Sequence, residues 1–240
     1  MLNRNAVLVS LALAVGTATA LWLVFKPSRA SAKRRSIAQE DLPQSLLLIG
    51  DSQTKRFLGD AYVNAFSELD VSFFGKSGVT HEDYLEDSDL IDKLSKLGCA
   101  DIVVVQLGDN GVPNRSKMVR DFAETIRDKC PNALLIWGGP MKAVRPTIES
   151  NYVNVTNTSS PRYLPTYNAM RNTWDSRLAA WLADTAFYYV SNFYLQEEQP
   201  QTSDFSDSRG GDGVHLTESS ANAQAHLMKD YIYNTLIYGV

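Results

Sequence analysis

From about residue 45 onward, short apolar runs alternate with amphipathic stretches, and this alternation constrains the fold more than any other feature of the chain. Leu46–Ile49, Val71–Phe74, Ile102–Leu107, Ala133–Trp137 and Ala186–Val190 are short, mostly apolar runs of strand length, as expected of strands covered on both faces. Between them, Ser116–Lys129, Tyr167–Asp184 and Thr217–Leu236 place apolar residues at helical spacing. In the last of these, Ala221, Ala225, Met228, Ile232 and Leu236 make one stripe, and Thr217 is the expected N-cap. Alternating strands and helices predict an α/β domain, a three-layer α/β/α sandwich around a five-stranded, mostly parallel sheet. Right-handed crossovers then favour the flavodoxin-like strand order 2-1-3-4-5. With 240 residues, 44% of them apolar and 21% charged, the chain has material for one such domain at 45–240.

The first 44 residues follow a different logic. After a short flank at 1–5, residues 6–25 read AVLVSLALAVGTATALWLVF without a charge. About 20 apolar residues cross a bilayer as a helix. That length favours an uncleaved membrane anchor over a cleaved signal peptide, whose apolar core runs roughly 7–15 residues, although Ala30-Ser31-Ala32 resembles a cleavage site. Residues 26–44 carry Lys26, Arg29, Lys33, Arg34 and Arg35 together with Pro27 and Pro43, and read as a basic linker. By the positive-inside rule those charges favour a cytoplasmic flank, while long domains translocate despite such charge. The expectation is a single-pass anchor with an extracytoplasmic domain, against the direction of the flanking charge. The formal net charge of -4, with basic residues gathered in the linker, argues against nucleic acid as a partner.

Cys99 and Cys130 each stand a few residues before a strand candidate. Neighbouring parallel strands would start at one edge of the sheet, within reach of the Cα separation of about 5.5–6 Å that a disulfide needs. Two small buried thiols are the alternative. A bond between them would belong to an oxidising compartment.

Several polar residues stand where the apolar runs end, which in an open α/β sheet is the edge that binds ligands. Ser52 follows Leu46–Ile49 at the passage from strand to helix. A serine hydroxyl needs a positioned base to become a nucleophile. Of the three histidines, His226 lies within the last helical pattern and His81 follows the Gly78 turn without an acidic partner in a recognisable pattern. His215 has Asp212 three residues before it, and a carboxylate there can fix the imidazole tautomer and stabilise the imidazolium that forms during reaction. Gly78 offers a backbone N–H with no side chain in front of it, and Asn110 a side-chain amide. With the Ser52 N–H these are candidate donors to a tetrahedral oxyanion. Each motif also has a plainer reading as a cap or turn, since Asp, Ser and Asn-Gly all favour turns.

Taken in order, Gly50-Asp51-Ser52, Ser77-Gly78, Leu107-Gly108-Asp109-Asn110 and Asp212-Gly213-Val214-His215 resemble the four signature blocks of the SGNH, or GDSL, hydrolases. The resemblance spans roughly residues 45–236. It implies a flavodoxin-like fold and acyl-ester chemistry, with Ser52 as nucleophile, His215 as base, Asp212 as its orienting acid, and Ser52, Gly78 and Asn110 as the oxyanion hole. Two positions depart from the commonest pattern: Asn110 is followed by Gly111 rather than by Asp, and Gln53 replaces an aliphatic residue. Both shift the expected substrate from long-chain lipids toward carbohydrate esters.

The long polar loops Met141–Pro165 and Leu195–Gly211 suit sugar hydroxyls. Tyr152, Arg162, Tyr163 and Tyr167 are candidate substrate contacts there, or else residues that pack the loop onto the domain. The leading expectation is a membrane-anchored serine esterase acting on a carbohydrate or cell-wall ester, with acetyl as the acyl group. The alternatives are an O-acetyltransferase with the same residues, a lysophospholipase or thioesterase, and a non-catalytic glycan-binding or virion-structural module. No cofactor is implied, and no metal-ligand spacing such as His-Glu-x-x-His occurs.

Overall fold

A computed structural model describes residues 42–87, 92, 95–96, 98–111, 116–147, 150–192, 195 and 211–239. The proposed anchor at 6–25, the linker up to residue 41, and residues 196–210 of the second polar loop lie outside the described residues. No helix among the described residues is long and apolar enough to cross a membrane.

Five strands, β1 (Ser45–Gly50), β2 (Asp70–Gly75), β3 (Ile102–Gln106), β4 (Leu134–Gly138) and β5 (Tyr188–Val190), form one sheet in the order β2-β1-β3-β4-β5. Every pairing is parallel. The helices are α1 (Gly59–Ala65), α2 (His81–Glu86), α3 (Ser116–Lys129), α4 (Leu164–Leu182) and α5 (Glu218–Asp230). Successive strand residues point to opposite faces, so each apolar run feeds two cores. Leu47, Ile49, Val103, Val105, Leu135 and Trp137 pack with Tyr84 of α2, Val119, Phe122 and Ile126 of α3, and Leu178 and Leu182 of α4. Leu46, Leu48, Ile102, Val104 and Ile136 pack on the other side with Ala61, Tyr62 and Ala65 of α1 and Ala221, Ala225 and Met228 of α5. These are the two outer layers of the sandwich. Cys99 and Cys130 form a disulfide, with Cα atoms 5.4 Å apart, that ties the approach to β3 to the end of α3.

The element boundaries differ from the sequence expectation where local chemistry overrides apolar spacing. α4 starts at Leu164 rather than Tyr167 because Pro165 occupies its first turn, where the N–H that proline lacks would have no partner anyway. It ends at Leu182, short of Asp184. Thr217 caps α5, its Oγ1 accepting from the Ser220 N–H at 3.3 Å. The stripe from Ala221 to Ile232 is buried as expected, but from Tyr231 to Ile237 the helix widens to π geometry. β5 is reduced to three residues, Tyr188–Val190, paired only with β4.

Register is what positions the site. Gly75, Gly50, Gln106, Gly138 and Val190 stand in one row across the sheet at its carboxyl edge. Ser52 follows β1, the second strand of the row, Gly78 follows its neighbour β2 on one side, and Asn110 follows β3 on the other. Three candidate site residues thus emerge from three adjacent strands, with the hydroxyl in the centre.

Candidate active site

After Gly50 the chain turns at once into helical backbone. The Asp51 Oδ1 accepts the Gln53 N–H at 3.0 Å, and a π-helical turn follows at Thr54–Leu58. Ser52 therefore sits in the first turn of a helical run, where backbone N–H groups have no intrahelical acceptor. In the turn after β2, Gly78 holds φ +76°, with nothing within 4 Å of where a side chain would stand. α2 follows immediately: the Asp83 carboxylate accepts the Thr80 N–H at 2.6 Å and the Thr80 hydroxyl at 2.8 Å, fixing the turn between Gly78 and the helix. Asn110 reaches across to that same turn, its Nδ2 donating to the Val79 carbonyl at 3.1 Å. One hydrogen of the Asn110 amide is used there and the second remains available.

His215 and Asp212 arrive from the far side, ahead of α5. The Asp212 Oδ2 lies 2.7 Å from His215 Nδ1, and His215 Nε2 lies 3.0 Å from Ser52 Oγ. The other Asp212 oxygen accepts the Val214 and His215 N–H groups, each at 2.9 Å. Burial alone would raise the Asp212 pKa. The hydrogen bonds from the His215 ring and from the two N–H groups, together with the imidazole charge, outweigh it, so the carboxyl lies below its ordinary value. Gly213, at φ +78°, makes the tight turn possible; a Cβ there would also stand 2.5 Å from the Val144 carbonyl oxygen. The segment that presses against Gly213 is itself fixed, because the Asn168 amide pairs with both the N–H and C=O of Ala143, each at 2.8 Å.

Residues 163 positions apart in sequence, Ser52 and His215, are thus within hydrogen-bonding distance of each other. Hydroxyl, imidazole and carboxylate in this order allow the imidazole to take the hydroxyl proton while the carboxylate steadies the resulting cation. The remaining candidates divide. Tyr152 is exposed, and its ring meets the His215 ring edge-on at 5.8 Å between centroids. The Arg162 guanidinium lies 6.0 Å from the Tyr152 centroid and donates to the Asn151 carbonyl. Tyr163 is the residue before α4, and its backbone bridges to Asn154. Tyr167 packs against the small cluster of Ala143, Val153 and Val214, with the Arg171 guanidinium 4.8 Å from its ring centroid. Tyr163 and Tyr167 therefore hold the loop, whereas Tyr152 meets His215 and Arg162 lies beside Tyr152. His226 is exposed on α5. His81 is fully buried and stacked on Trp137 at 5.2 Å, and burial pushes its pKa down to about 3.

Three further residues stand near the site; the sequence singled out Gln53 only as a departure from an aliphatic residue, and Arg56 and Arg171 not at all. Arg56, half-exposed on the π-helical turn, places Nη1 3.7 Å from the Asp212 Oδ2. Gln53 is buried and hydrogen-bonds the backbone on both sides of His215. Arg171 is fully buried beneath the edge, with Nη1 2.6 Å from the Met141 carbonyl and 3.0 Å from Asp109 Oδ1, and Nη2 2.9 Å from the Asp109 carbonyl. Among the described residues no group of three or more His, Cys, Asp or Glu side chains is arranged to hold a metal ion.

Neither a family model nor a curated protein sequence matches the chain. Solved structures do. A phospholipase A1 from Streptomyces albidoflavus is similar with a TM-score of 0.54 at 14% identity, covering 78% of this chain and 98% of that one. An extracellular lipase from Streptomyces rimosus gives a TM-score of 0.54 at 13% identity, covering 77% and 97%. A protein from Parabacteroides merdae described as a GDSL-like lipase gives 0.57 at 15% identity, covering 78% and 94%. The chain has the flavodoxin-like α/β/α fold of the SGNH, or GDSL, hydrolases.

Proposed function

We propose that the chain is a serine esterase that hydrolyses a short acyl ester, acetyl foremost, carried by a carbohydrate. The observation that carries this reading is the hydrogen-bonded run from Asp212 through His215 to Ser52 at the carboxyl edge of the sheet. In this scheme Ser52 Oγ attacks the ester carbonyl carbon as His215 Nε2 takes its proton. The carbonyl oxygen gains the negative charge and is received by the Ser52 and Gly78 N–H groups and the unspent hydrogen of the Asn110 amide. A donor of this kind is worth about 2.7–4 kcal/mol in the transition state. Collapse breaks the bond to the alcohol oxygen, which leaves with the proton from His215. Water then repeats the sequence on the acyl-enzyme, releasing the acid and restoring Ser52.

The carbohydrate alcohol is supported by the exposed Tyr152 ring beside His215, a surface on which a sugar can stack, with Arg162 next to it. The apolar segment at 6–25 supports attachment to a membrane, and the Cys99–Cys130 bond supports an extracytoplasmic domain. A second reading, hydrolysis of a lipid ester, is favoured by the names of similar structures, a phospholipase A1 and two lipases. Transfer of the acyl group to a sugar hydroxyl uses the same residues.

One experiment separates these. The full chain in detergent is treated with a fluorophosphonate probe and then offered p-nitrophenyl esters of increasing chain length and an O-acetylated oligosaccharide, with released acetate and modified acceptor both measured. Labelling confined to Ser52, lost in Ser52→Ala, with acetyl esters preferred, supports the proposal. Preference for long chains selects the lipid reading, and acceptor modification without free acetate selects transfer. Absence of labelling together with an unchanged Ser52→Ala variant rejects the serine mechanism and leaves a non-catalytic module.

A further inference from the structure

Gln53 follows Ser52 directly and is 2% exposed, so both ends of its amide need partners. It finds them on either side of one residue. Nε2 donates to the Val214 carbonyl at 2.8 Å, and Oε1 accepts the Leu216 N–H at 3.0 Å. The side-chain amide therefore lies along the 214–216 backbone much as the peptide of a neighbouring strand would, with His215 between the two points of attachment. The base of the Gln53 side chain is fixed as well, because its own N–H is held by Asp51 Oδ1 at 3.0 Å. The turn that carries the hydroxyl and the turn that carries the imidazole are thus connected through a single buried side chain.

We infer that Gln53 is a positioning residue that sets the approach of the His215 imidazole to Ser52, a role that rests on the esterase reading for its kinetic consequence. The hydrogen bond between Ser52 and His215 cannot serve this purpose throughout a turnover. Once Ser52 Oγ is acylated it has no proton to share, and His215 must still stand where it can activate water. The two Gln53 bonds touch no reacting atom and persist through every step. Asp212 fixes the rotation and tautomer of the ring; Gln53 fixes the backbone from which the ring projects.

Two variants test this. In Gln53→Leu both bonds are lost, and kcat for p-nitrophenyl acetate is expected to fall about 10–100-fold, the penalty for misplacing a catalytic group by an ångström or less, with KM nearly unchanged. In Gln53→Glu the ionised carboxylate accepts from the Leu216 N–H but faces the Val214 carbonyl with no hydrogen to donate, whereas the protonated acid makes both bonds. Burial favours the neutral acid. The activity of Gln53→Glu relative to the parent chain should therefore rise as pH falls through the pKa of the new group, while that of Gln53→Leu stays level. The Gln53→Glu protein is compared with itself, so failure of Gln53→Leu to fold does not remove the test. The His215 Nδ1 proton resonance gives a readout independent of turnover: it should shift in Gln53→Leu and return toward the parent position in acidified Gln53→Glu.

Undiminished kcat in folded Gln53→Leu, or a Gln53→Glu ratio that is flat with pH, overturns the inference. A parent chain that neither hydrolyses the ester nor takes the fluorophosphonate rejects the esterase reading instead. In that case an unmoved His215 resonance in the variants rejects the positioning role separately.

Discussion

Two groups of polar side chains meet at the carboxyl edge of the sheet, and they start from adjacent residues, Asp51 and Ser52. The outer group, Ser52, His215, Asp212 and Arg56, is open to solvent on one side, and every polar atom of its central run has a partner. The inner group, Asp51, Asp109 and Arg171, is sealed in the domain, and one oxygen of each carboxylate and the Arg171 Nε have no hydrogen-bond partner. Burial, then the charge of Asp109, pushes the Asp51 pKa well above the usual carboxylate range, against the opposing pull of the Gln53 N–H and Arg171. Two acids share one cation there, and burial beside a second carboxylate disfavours the ionised form of Asp51. The contrast separates two uses of the same chemistry. The outer carboxylate lies below its ordinary pKa through its hydrogen bonds to the His215 ring and the backbone, while in the inner cluster Arg171 joins α4 to two loops, the turn after β3 and the Met141 segment after β4.

The largest effect should come from disturbing the outer run. In Asp212→Asn the shape survives but the imidazole loses the partner that selects its tautomer. A fall in kcat of about 10⁴-fold is expected, since the corresponding change in a hydrolase with this constellation costs that much. Steady-state hydrolysis of p-nitrophenyl acetate would show it, with the melting temperature little altered. A drop of less than tenfold would remove Asp212 from the mechanism.

Arg171→Met breaks the inner group instead. It leaves Asp109 buried beside Asp51 without a cation, and loss of one partner from a buried ion pair costs about 3–5 kcal/mol. Urea unfolding should register that loss in stability. Adding Asp109→Asn should recover part of it, because the uncompensated charge goes with the partner. If the single variant is as stable as the parent, no ion pair holds the inner cluster.

The same contrast explains what could be read in the sequence. Val103-Val104-Val105, short and β-branched throughout, reads as a strand covered on both faces, and the row of turns at the strand ends follows from parallel pairing, so the fold and the places of Ser52, Asp212 and His215 were legible together, while Arg56 was not. Arg171 was not, because one arginine in a helical pattern normally marks a solvated face; its burial depends on where α4 crosses the β3 and β4 turns, a tertiary fact. Gln53 was visible only as a departure from an aliphatic residue, since its partners lie more than 160 positions away. The π-helical turns at Thr54–Leu58 and Tyr231–Ile237 have no apolar period that announces them, and Tyr167 reads equally well as a sugar contact or as loop packing until its neighbours are known.

His81 belongs to neither group but sharpens the comparison, being a titratable side chain buried with no ionic partner at all. Its folded pKa of about 3 lies below the ordinary value of 6.5. The unfolded chain therefore binds the extra proton first as pH falls. The stability this neutral histidine allows is intact above about pH 6.5 and declines from there toward pH 3, by at most about 1.4 kcal/mol per pH unit. His81→Phe keeps the ring against Trp137 and removes the titration. Between pH 7 and pH 4.5 the variant should lose less stability than the parent by about 2–3 kcal/mol, read as the difference in unfolding free energy. Parallel losses would mean that His81 is not the acid-sensitive group.

Arg56 marks the outer boundary of the contrast, where a charge sits close to the reacting residues yet belongs to the solvent. Its guanidinium is half-exposed and 3.7 Å from the Asp212 oxygen that serves His215, a separation without a short hydrogen bond. An exposed pair of this kind is worth about 0–1 kcal/mol, against several for the buried Arg171 pair. Arg56→Gln should therefore change kcat by less than about fivefold. Whatever difference remains should shrink as salt is raised from roughly 0.05 to 0.5 M and the screening length shortens. A salt-resistant loss of a hundredfold would place Arg56 with Arg171 as a desolvated anchor. The division would then follow the residue each arginine touches, and exposure would not be what separates the outer group from the inner one.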